Sequence, residues 1–185
     1  MWQSQRFSRR RFLGHVTRLA AAGTVMTLAR PALASLPQAR RLDFDHLHTG
    51  ERLSLVFALG ERYLPEALTR LNHFLRDHYS GEVGAIDPLL LDLLFRTRRE
   101  LECPRPFQVI SAYRGAATNQ QLRHGGRSGV ARQSLHMQGR AIDVRLEGVP
   151  LVDLRDAAMS LQAGGVGFYP RSEFVHLDTG HVRTW

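Results

Sequence analysis

The most informative stretch of the sequence is Ser134-Leu135-His136-Met137-Gln138-Gly139-Arg140-Ala141-Ile142-Asp143, in which a glycine turn leads into a short apolar strand. His136 comes just before the turn, and Asp143 lies inside the strand. Side chains alternate between the two faces of a strand, so Asp143 lies opposite the apolar Ile142 and Val144. The segment therefore predicts a carboxylate that points away from the core, towards the histidine across the turn.

A second strand, Phe174-Val175-His176-Leu177-Asp178, places His176 and Asp178 on one face by the same alternation. If this strand pairs beside the first one, His176 joins His136 and Asp143 to give two imidazole nitrogens and one carboxylate oxygen. Three protein ligands leave the fourth tetrahedral position to water, which is typical of a catalytic zinc and not of a structural one. The sequence thus predicts one Zn²⁺ ion bound by His136, Asp143 and His176.

Strands and helices occupy separate blocks of the sequence around these two segments. Predicted hairpins lie at both ends of the chain, and the leucines between them recur at helical spacings. This order predicts an α+β fold with a central antiparallel sheet flanked by helices. The predicted strands are residues 41–46, 52–58, 107–113, 140–146, 164–169 and 174–179, and the predicted helices are residues 64–79, 88–101, 118–124 and 150–161.

The first 34 residues have the composition of an export signal. Ser8-Arg9-Arg10-Arg11-Phe12-Leu13 precedes an apolar run over residues 16–29 and then Ala32-Leu33-Ala34, which fits a signal-peptidase site. The alternative is an amphipathic basic helix of the mature protein. The pattern favours a twin-arginine signal peptide over residues 1–34, cleaved after Ala34, and one mature domain over residues 35–185. The twin-arginine translocase would then be a partner during export, and the periplasm the destination.

Charge and cysteine content restrict the partners and the metal ligands that the mature chain can have. The segment 1–34 carries six arginines and no acidic residue, so its removal lowers the formal charge from +8 to +2. A mature chain of this charge has no nucleic-acid signature. The apolar run is shorter than the roughly 20 residues that a membrane span needs, so no stable span is expected. With Cys103 as the only cysteine, a disulfide framework is excluded and any metal must use histidine and carboxylate ligands.

The pattern Ser-x-His-x-x-Gly-x-Ala-x-Asp with a later His resembles the zinc peptidases that include D-alanyl-D-alanine dipeptidases and carboxypeptidases, phage endolysins and the hedgehog signalling domains. More narrowly, the chain resembles the YcbK-like murein endopeptidases, also called the MepK family, over nearly all of its mature length. The segments that carry this narrower resemblance are residues 71–78, 110–114 and 164–180.

The resemblance implies a hedgehog-like or D-Ala-D-Ala-peptidase-like zinc fold, with the family's zinc ligands at His136, Asp143 and His176. It further implies a periplasmic enzyme that binds peptidoglycan and cleaves amide bonds in its stem peptides or cross-links, in that subfamily the bond joining two diaminopimelate residues. Arg114 matches an arginine that stabilises the oxyanion or holds a substrate carboxylate. Ser134 belongs to the same motif, and we expect it, with Tyr113, to contact the substrate or the backbone.

Three residues are candidates for the general base. Glu173 has the spacing at which the dipeptidases and some endolysins carry their catalytic carboxylate, three residues before His176. The YcbK-like group often lacks an acidic residue there. Asp178 is a second possibility, either for proton transfer or to orient His176, and His181 is a third.

Two other functions fit the same residues. The chain resembles carboxypeptidases or dipeptidases that act on free D-alanyl peptides, and it resembles zinc-containing modules that bind without cutting. The presence of both Arg114 and Glu173 speaks against the binding module.

Overall fold

We describe a computed structural model of the chain, over residues 38–125 and 130–185. The predicted signal peptide at residues 1–34 lies outside the described residues. The strands are β1 (Ala39–His46), β2 (Arg52–Leu59), β3 (Arg62–Tyr63), β4 (Phe107–Ser111), β5 (Ala141–Leu146), β6 (Gly165–Tyr169), β7 (Phe174–Asp178) and β8 (Arg183–Thr184). The helices are α1 (Pro65–Phe74), α2 (Pro88–Glu100), α3 (Ala116–His124) and α4 (Leu151–Ser160), with 3₁₀ turns at Leu135–Gln138 and Pro170–Ser172. None of the described helices is long and apolar enough to cross a membrane.

The strands form one sheet in the order β3-β2-β1-β4-β5-β7-β6-β8 within the described part of the chain. The α+β class is confirmed, and most neighbours are antiparallel. Two pairs, β1 with β4 and β6 with β8, run parallel. The first pair is parallel because the chain leaves the β1–β2 hairpin, forms α1 and α2, and returns beside β1 in the same direction. Strands β3 and β8, of two residues each, are too short to give an alternation signal.

One face of the sheet forms the core with the helices. Buried residues of the strands, such as Phe44, Phe107 and Ile142, pack in one cluster with Leu71 of α1 and Leu94 of α2. Because side chains alternate across a strand, this packing turns the intervening residues of β5 and β7 to the opposite face. The site residues lie there.

Helix α1 ends at Phe74, five residues before the predicted end. The carboxylate of Asp77 accepts hydrogen bonds from the backbone N–H groups of Tyr79 at 2.9 Å and Gly115 at 2.9 Å. Short polar side chains that bond nearby backbone groups favour turns over helix continuation. Asp77 therefore converts the end of the predicted helix into a turn that is fixed against the segment after β4.

Gly139 is the residue that allows the turn between His136 and β5. Its φ is +65°, and a Cβ at this position would lie 1.9 Å from the carbonyl oxygen of Ala85. Only glycine adopts a positive φ without cost and also leaves space for another backbone so close. The glycine of the motif thus positions His136 directly before the strand that carries Asp143.

Candidate metal centre

Three ligating atoms converge where β5 and β7 pair. The antiparallel register places Asp143 opposite His176, and His136 reaches the same point from the 3₁₀ turn before β5. Oδ1 of Asp143 lies 2.8 Å from Nδ1 of His176 and 3.3 Å from Nε2 of His136, and the two nitrogens are 3.3 Å apart. Within the described residues, this is the only group of three or more potential ligands whose atoms converge.

Two of these three distances, those of 3.3 Å, match the spacing of neighbouring ligand atoms around a tetrahedral metal ion, and the third is shorter. Zinc–nitrogen and zinc–oxygen bonds of about 2.0–2.1 Å place neighbouring ligand atoms of a tetrahedron about 3.3 Å apart. The site is also largely buried, since His136 is 3% exposed and Asp143 is 7% exposed. The three residues predicted from the sequence are therefore brought together as a group that could hold a metal ion.

Hydrogen bonds on the far side of each imidazole fix which nitrogen faces the ligand group. Nδ1 of His136 lies 2.6 Å from the carbonyl oxygen of Ala112, which can only accept, so Nδ1 carries the proton and Nε2 keeps its lone pair. Nε2 of His176 lies 3.1 Å from Oδ2 of Asp178, which leaves Nδ1 as the ligating atom. Partners of this kind orient the ligands of metal sites.

The electrostatics of the metal-free ligand group favour a cation between the residues. Burial opposes ionisation of Asp143, but the two imidazoles outweigh it and hold the pKa of this carboxyl well below its usual range. Burial also disfavours the charged form of His176, yet its hydrogen bonds to Asp143 and Asp178 raise its pKa to about 9. A metal ion that binds at Nδ1 would take the place of any proton on that nitrogen.

Asp178 is fully buried and has no free oxygen. Besides His176, it accepts hydrogen bonds from Arg183 at 2.7 and 3.1 Å and from the backbone N–H groups of Gly180 at 2.8 Å and Gly165 at 3.2 Å. Although burial acts in the opposite direction, the bonds from His176 and Arg183 keep the pKa of Asp178 well below its usual range. Of the two roles predicted for this residue, the geometry suits the orientation of His176.

Arg114 and Ser134 lie beside the ligands. The guanidinium of Arg114 is 4.0 Å from Oδ2 of Asp143 and 3.4 Å from Oγ of Ser111. The hydroxyl of Ser134 accepts a hydrogen bond from the N–H of His136 at 3.4 Å and begins the 3₁₀ turn. Both residues line the cavity that opens onto the metal ligands.

Tyr113, Glu173 and His181 do not line this cavity. The Tyr113 hydroxyl donates to Glu82 at 2.8 Å, so this side chain secures the loop after α1. Glu173 occupies an exposed turn with φ +54°, and its carboxylate lies 3.3 Å from the guanidinium of Arg145. His181 is exposed, and its carbonyl accepts a hydrogen bond from Arg183 at 3.1 Å. The substrate role of Tyr113 and the base role of Glu173 stay predictions.

The cavity has a volume of about 730 Å³ and two walls that the sequence did not identify. One wall carries His48, His78 and Tyr79, with the rings of His48 and His78 stacked at 4.2 Å. The other carries Tyr169, Phe174 and Trp185, which reach the site only through strand pairing. No local pattern in the sequence links the residues of a wall, because His48 is distant along the chain from His78, and Trp185 is distant from Tyr169 and Phe174.

Comparison with known proteins gives matches over most of the chain. The family model described as peptidoglycan L,D-endopeptidase MepK matches residues 34–185. The curated peptidoglycan L,D-endopeptidase MepK of Escherichia coli K12 is 47% identical over 160 residues, which cover 85% of this chain and 87% of that protein. The probable peptidoglycan L,D-endopeptidase MepK of Haemophilus influenzae is 43% identical over 155 residues, 83% of each chain.

The chain belongs to the MepK family. It is therefore a peptidase, and the MepK family lies within a wider group of metal-dependent peptidases. The ligand group at His136, Asp143 and His176 is where a metal can bind. The resemblance inferred from the motifs is confirmed, and the matched region covers every residue of the candidate site.

Proposed function

We propose that the chain is a zinc-dependent peptidoglycan endopeptidase that hydrolyses amide bonds in the cross-links between stem peptides. The observation that carries the proposal is the convergence of Nε2 of His136, Oδ1 of Asp143 and Nδ1 of His176 at a cavity lined by Arg114. The names of the relatives support an L,D-cross-link as the substrate. Two residues of diaminopimelate would then flank the cleaved bond.

Zinc held by the three ligands would polarise the scissile carbonyl and supply an activated water at neutral pH. The protein's own groups provide the rest of the chemistry. Arg114 offers fixed N–H donors where negative charge develops on the carbonyl oxygen. Asp178 and Ala112 hold the two imidazoles in the ligating orientation. Ser134 offers a hydroxyl to the substrate from the wall of the same cavity.

For the general base we retain Glu173, on its spacing of three residues from His176. Its carboxylate would have to turn from Arg145 towards the cavity to accept a proton from the attacking water. Asp178 is fully buried with both oxygens engaged, and His181 lies outside the cavity wall. Asp143 is the only carboxylate that lines the cavity among the described residues, and it is a metal ligand.

We further propose that residues 1–34 are a twin-arginine signal peptide and that the mature domain acts in the periplasm, where peptidoglycan is accessible. The arginine cluster, the apolar run and the small residues at 32–34 support this location. Passage through the twin-arginine translocase would allow zinc to be bound before export. Microscopy of the full chain fused to a fluorescent protein, with Arg9 and Arg10 replaced by lysine as the comparison, tests the route.

The function is tested by incubating the purified zinc-loaded chain with isolated peptidoglycan and identifying the released muropeptides by mass spectrometry. We expect loss of cross-linked dimers, and no loss with His136→Ala or Asp143→Ala. Asp156→Ala is the matched control, because its carboxylate is exposed and pairs with Arg155 on α4. Release of D-alanine from monomers alone would indicate the carboxypeptidase. Zinc binding without any product would indicate the binding module.

A further inference from the structure

Three aromatic side chains form one wall of the cavity next to the metal ligands. We call Tyr169, Phe174 and Trp185 the aromatic platform. The rings of Tyr169 and Phe174 stack at 4.6 Å with an angle of 21° between their planes. The ring of Trp185 lies 5.3 Å from the ring of His176, so the platform begins directly beside the ligand group.

The indole of Trp185 is held in place although the residue is 49% exposed. Its Nε1–H donates to the hydroxyl of Tyr169 at 2.7 Å, and the guanidinium of Arg183 lies 4.7 Å from the ring centre. A Cβ at Gly167 would lie 2.7 Å from the indole, so glycine is the residue that lets the ring lie against β6. A large side chain that is fixed on several sides yet open to the cavity is an organised apolar surface.

The backbone fixes the platform to the sheet. The N–H of Phe168 donates to the carbonyl of Trp185 at 2.9 Å, and the N–H of Trp185 donates to the carbonyl of Val166 at 3.3 Å. Strand β8 thus extends the sheet at the edge of β6. Trp185, which follows β8, is thereby placed over β6, the strand that pairs with β7. The position of the ring relative to His176 is set by main-chain hydrogen bonds and does not depend on a flexible loop.

A rigid aromatic surface suits an extended apolar group. Aromatic rings offer a large contact area and lose little conformational freedom when a ligand binds. The alanine methyl groups of a stem peptide cover little of such a surface. The methylene chain of a diamino acid can lie along it, and its far end can remain in the solvent-filled part of the cavity.

We propose that the aromatic platform is the subsite for the methylene side chain of the diamino acid that flanks the cleaved amide. The inference rests on the proposed function, because it assumes that a stem-peptide cross-link occupies the cavity. Trp185 is then a specificity-determining residue: it binds the side chain of the substrate and takes no part in bond cleavage. It also explains why the chain holds an exposed indole next to a metal ligand.

The first test compares three synthetic cross-linked peptides. One carries diaminopimelate on both sides of the amide, and the others carry alanine in its place on the acyl side or on the amine side. For the first peptide, Trp185→Ala should raise KM about 10-fold or more, with kcat and zinc content nearly unchanged. For one alanine peptide the same substitution should change KM less than about 2-fold. Trp185→Phe should give an intermediate KM.

Val182→Ala is the matched control, because Val182 is an exposed apolar residue just before β8 that does not line the cavity. An equal fall in kcat/KM for all three peptides with Trp185→Ala would overturn the proposal and make Trp185 a support for His176. Unchanged kinetics on every peptide would overturn it as well. If the unmodified protein cleaves none of the peptides, the proposed function fails, and the binding test below judges the platform independently.

The binding test uses the fluorescence of Trp185. The chain has two tryptophans, so the full-length protein with Trp2→Phe reports Trp185 alone. Titration of the zinc-loaded protein with a tripeptide ending in diaminopimelate should give a saturable change in emission. The tripeptide ending in alanine should bind at least about 10-fold more weakly. Equal binding of the two tripeptides would contradict the platform as a side-chain subsite.

Discussion

Asp178 accepts a hydrogen bond from Nε2 of His176 at 3.1 Å, although the two residues are only two positions apart on the same strand. Both side chains lie on the face of β7 opposite the core, as the alternation predicts. Arg183 and two backbone N–H groups hold the Asp178 carboxylate in turn. This chain of contacts turns Nδ1 of His176 towards Asp143 and His136 and connects the ligand group to strand β8.

We expect Asp178→Asn to weaken zinc binding by about 10- to 100-fold, because the imidazole of His176 loses the ionised acceptor that orients it. Competition with a chromophoric zinc chelator measures the affinity. Asp156→Asn, on the exposed surface of α4, serves as the control and should bind zinc as the unmodified protein does. Unaltered zinc affinity of the Asp178 variant would show that the backbone alone positions His176.

Arg114→Lys should lower kcat by about 10²-fold with zinc content unchanged. A lysine keeps the charge but lacks the planar arrangement of N–H donors that can contact an oxyanion and its neighbours together. Steady-state kinetics on a cross-linked peptide, with metal analysis of the same sample, checks this. Arg105→Lys is a suitable comparison, since Arg105 forms an exposed ion pair with Glu147 at 2.8 Å. An effect confined to KM would instead assign Arg114 to substrate binding.

Glu173→Gln should reduce kcat by about 10²-fold or more, with zinc still bound, if Glu173 is the base. Glutamine keeps the size of the side chain and removes its ability to take a proton. Glu147→Gln, another exposed glutamate paired with an arginine, controls for the loss of a surface charge. Retained activity would exclude Glu173 as the base and leave it as the partner of Arg145.

Stability should fall between pH 6.5 and pH 4 through His46. Burial, with a smaller contribution from the neighbouring His48, lowers the pKa of His46 to about 4. The unfolded chain takes up this proton near pH 6.5, so the stabilisation is complete above that pH and is lost as the pH falls towards 4. The slope from this residue reaches at most about 1.4 kcal/mol per pH unit.

Urea unfolding of the zinc-free protein at several pH values measures this dependence. His46→Asn removes the contribution of His46, together with the part that His46 plays in lowering the pKa of the adjacent His78. The free energy of unfolding of the variant should fall less between pH 6.5 and pH 4 than that of the unmodified protein. Parallel curves for the two proteins would mean that the ring of His46 does not govern the pH dependence.

Much of the fold could be predicted because its signals are local. Asp87 predicts the start of the helix at Pro88, because it is a typical N-cap residue. In the structure its side chain accepts a hydrogen bond from the N–H of Leu89 at 3.0 Å. The alternation in β5 and β7 arises from neighbouring residues and survives in the folded chain. The end of α1 was only partly predictable in this way. The Asp77 carboxylate accepts a local bond from the N–H of Tyr79, but it also accepts one from the N–H of Gly115, which is 38 positions away.

The residues of the candidate site also differ in how far local sequence signals predict them. The convergence of the three predicted ligands could be anticipated because Asp143 and His176 lie on strands with clear alternation and His136 lies in the turn just before the first of them. Glu173 and Tyr113 were selected by spacing and motif, yet their side chains pair with Arg145 and Glu82 outside the cavity wall. Whether a side chain faces the cavity or a neighbouring loop depends on the backbone conformation at that residue in the folded chain. Spacing along the sequence does not specify that conformation.

The sequence by itself determined which residues can bind a metal and on which side of their strands Asp143 and His176 lie, because side-chain alternation is a property of each strand alone. Only the tertiary structure decided that Asp143 stands opposite His176, that Ala112 and Asp178 orient the imidazoles, and that Trp185 lies beside them. Those relationships depend on strand register and on contacts between distant segments, which form only when the whole sheet packs.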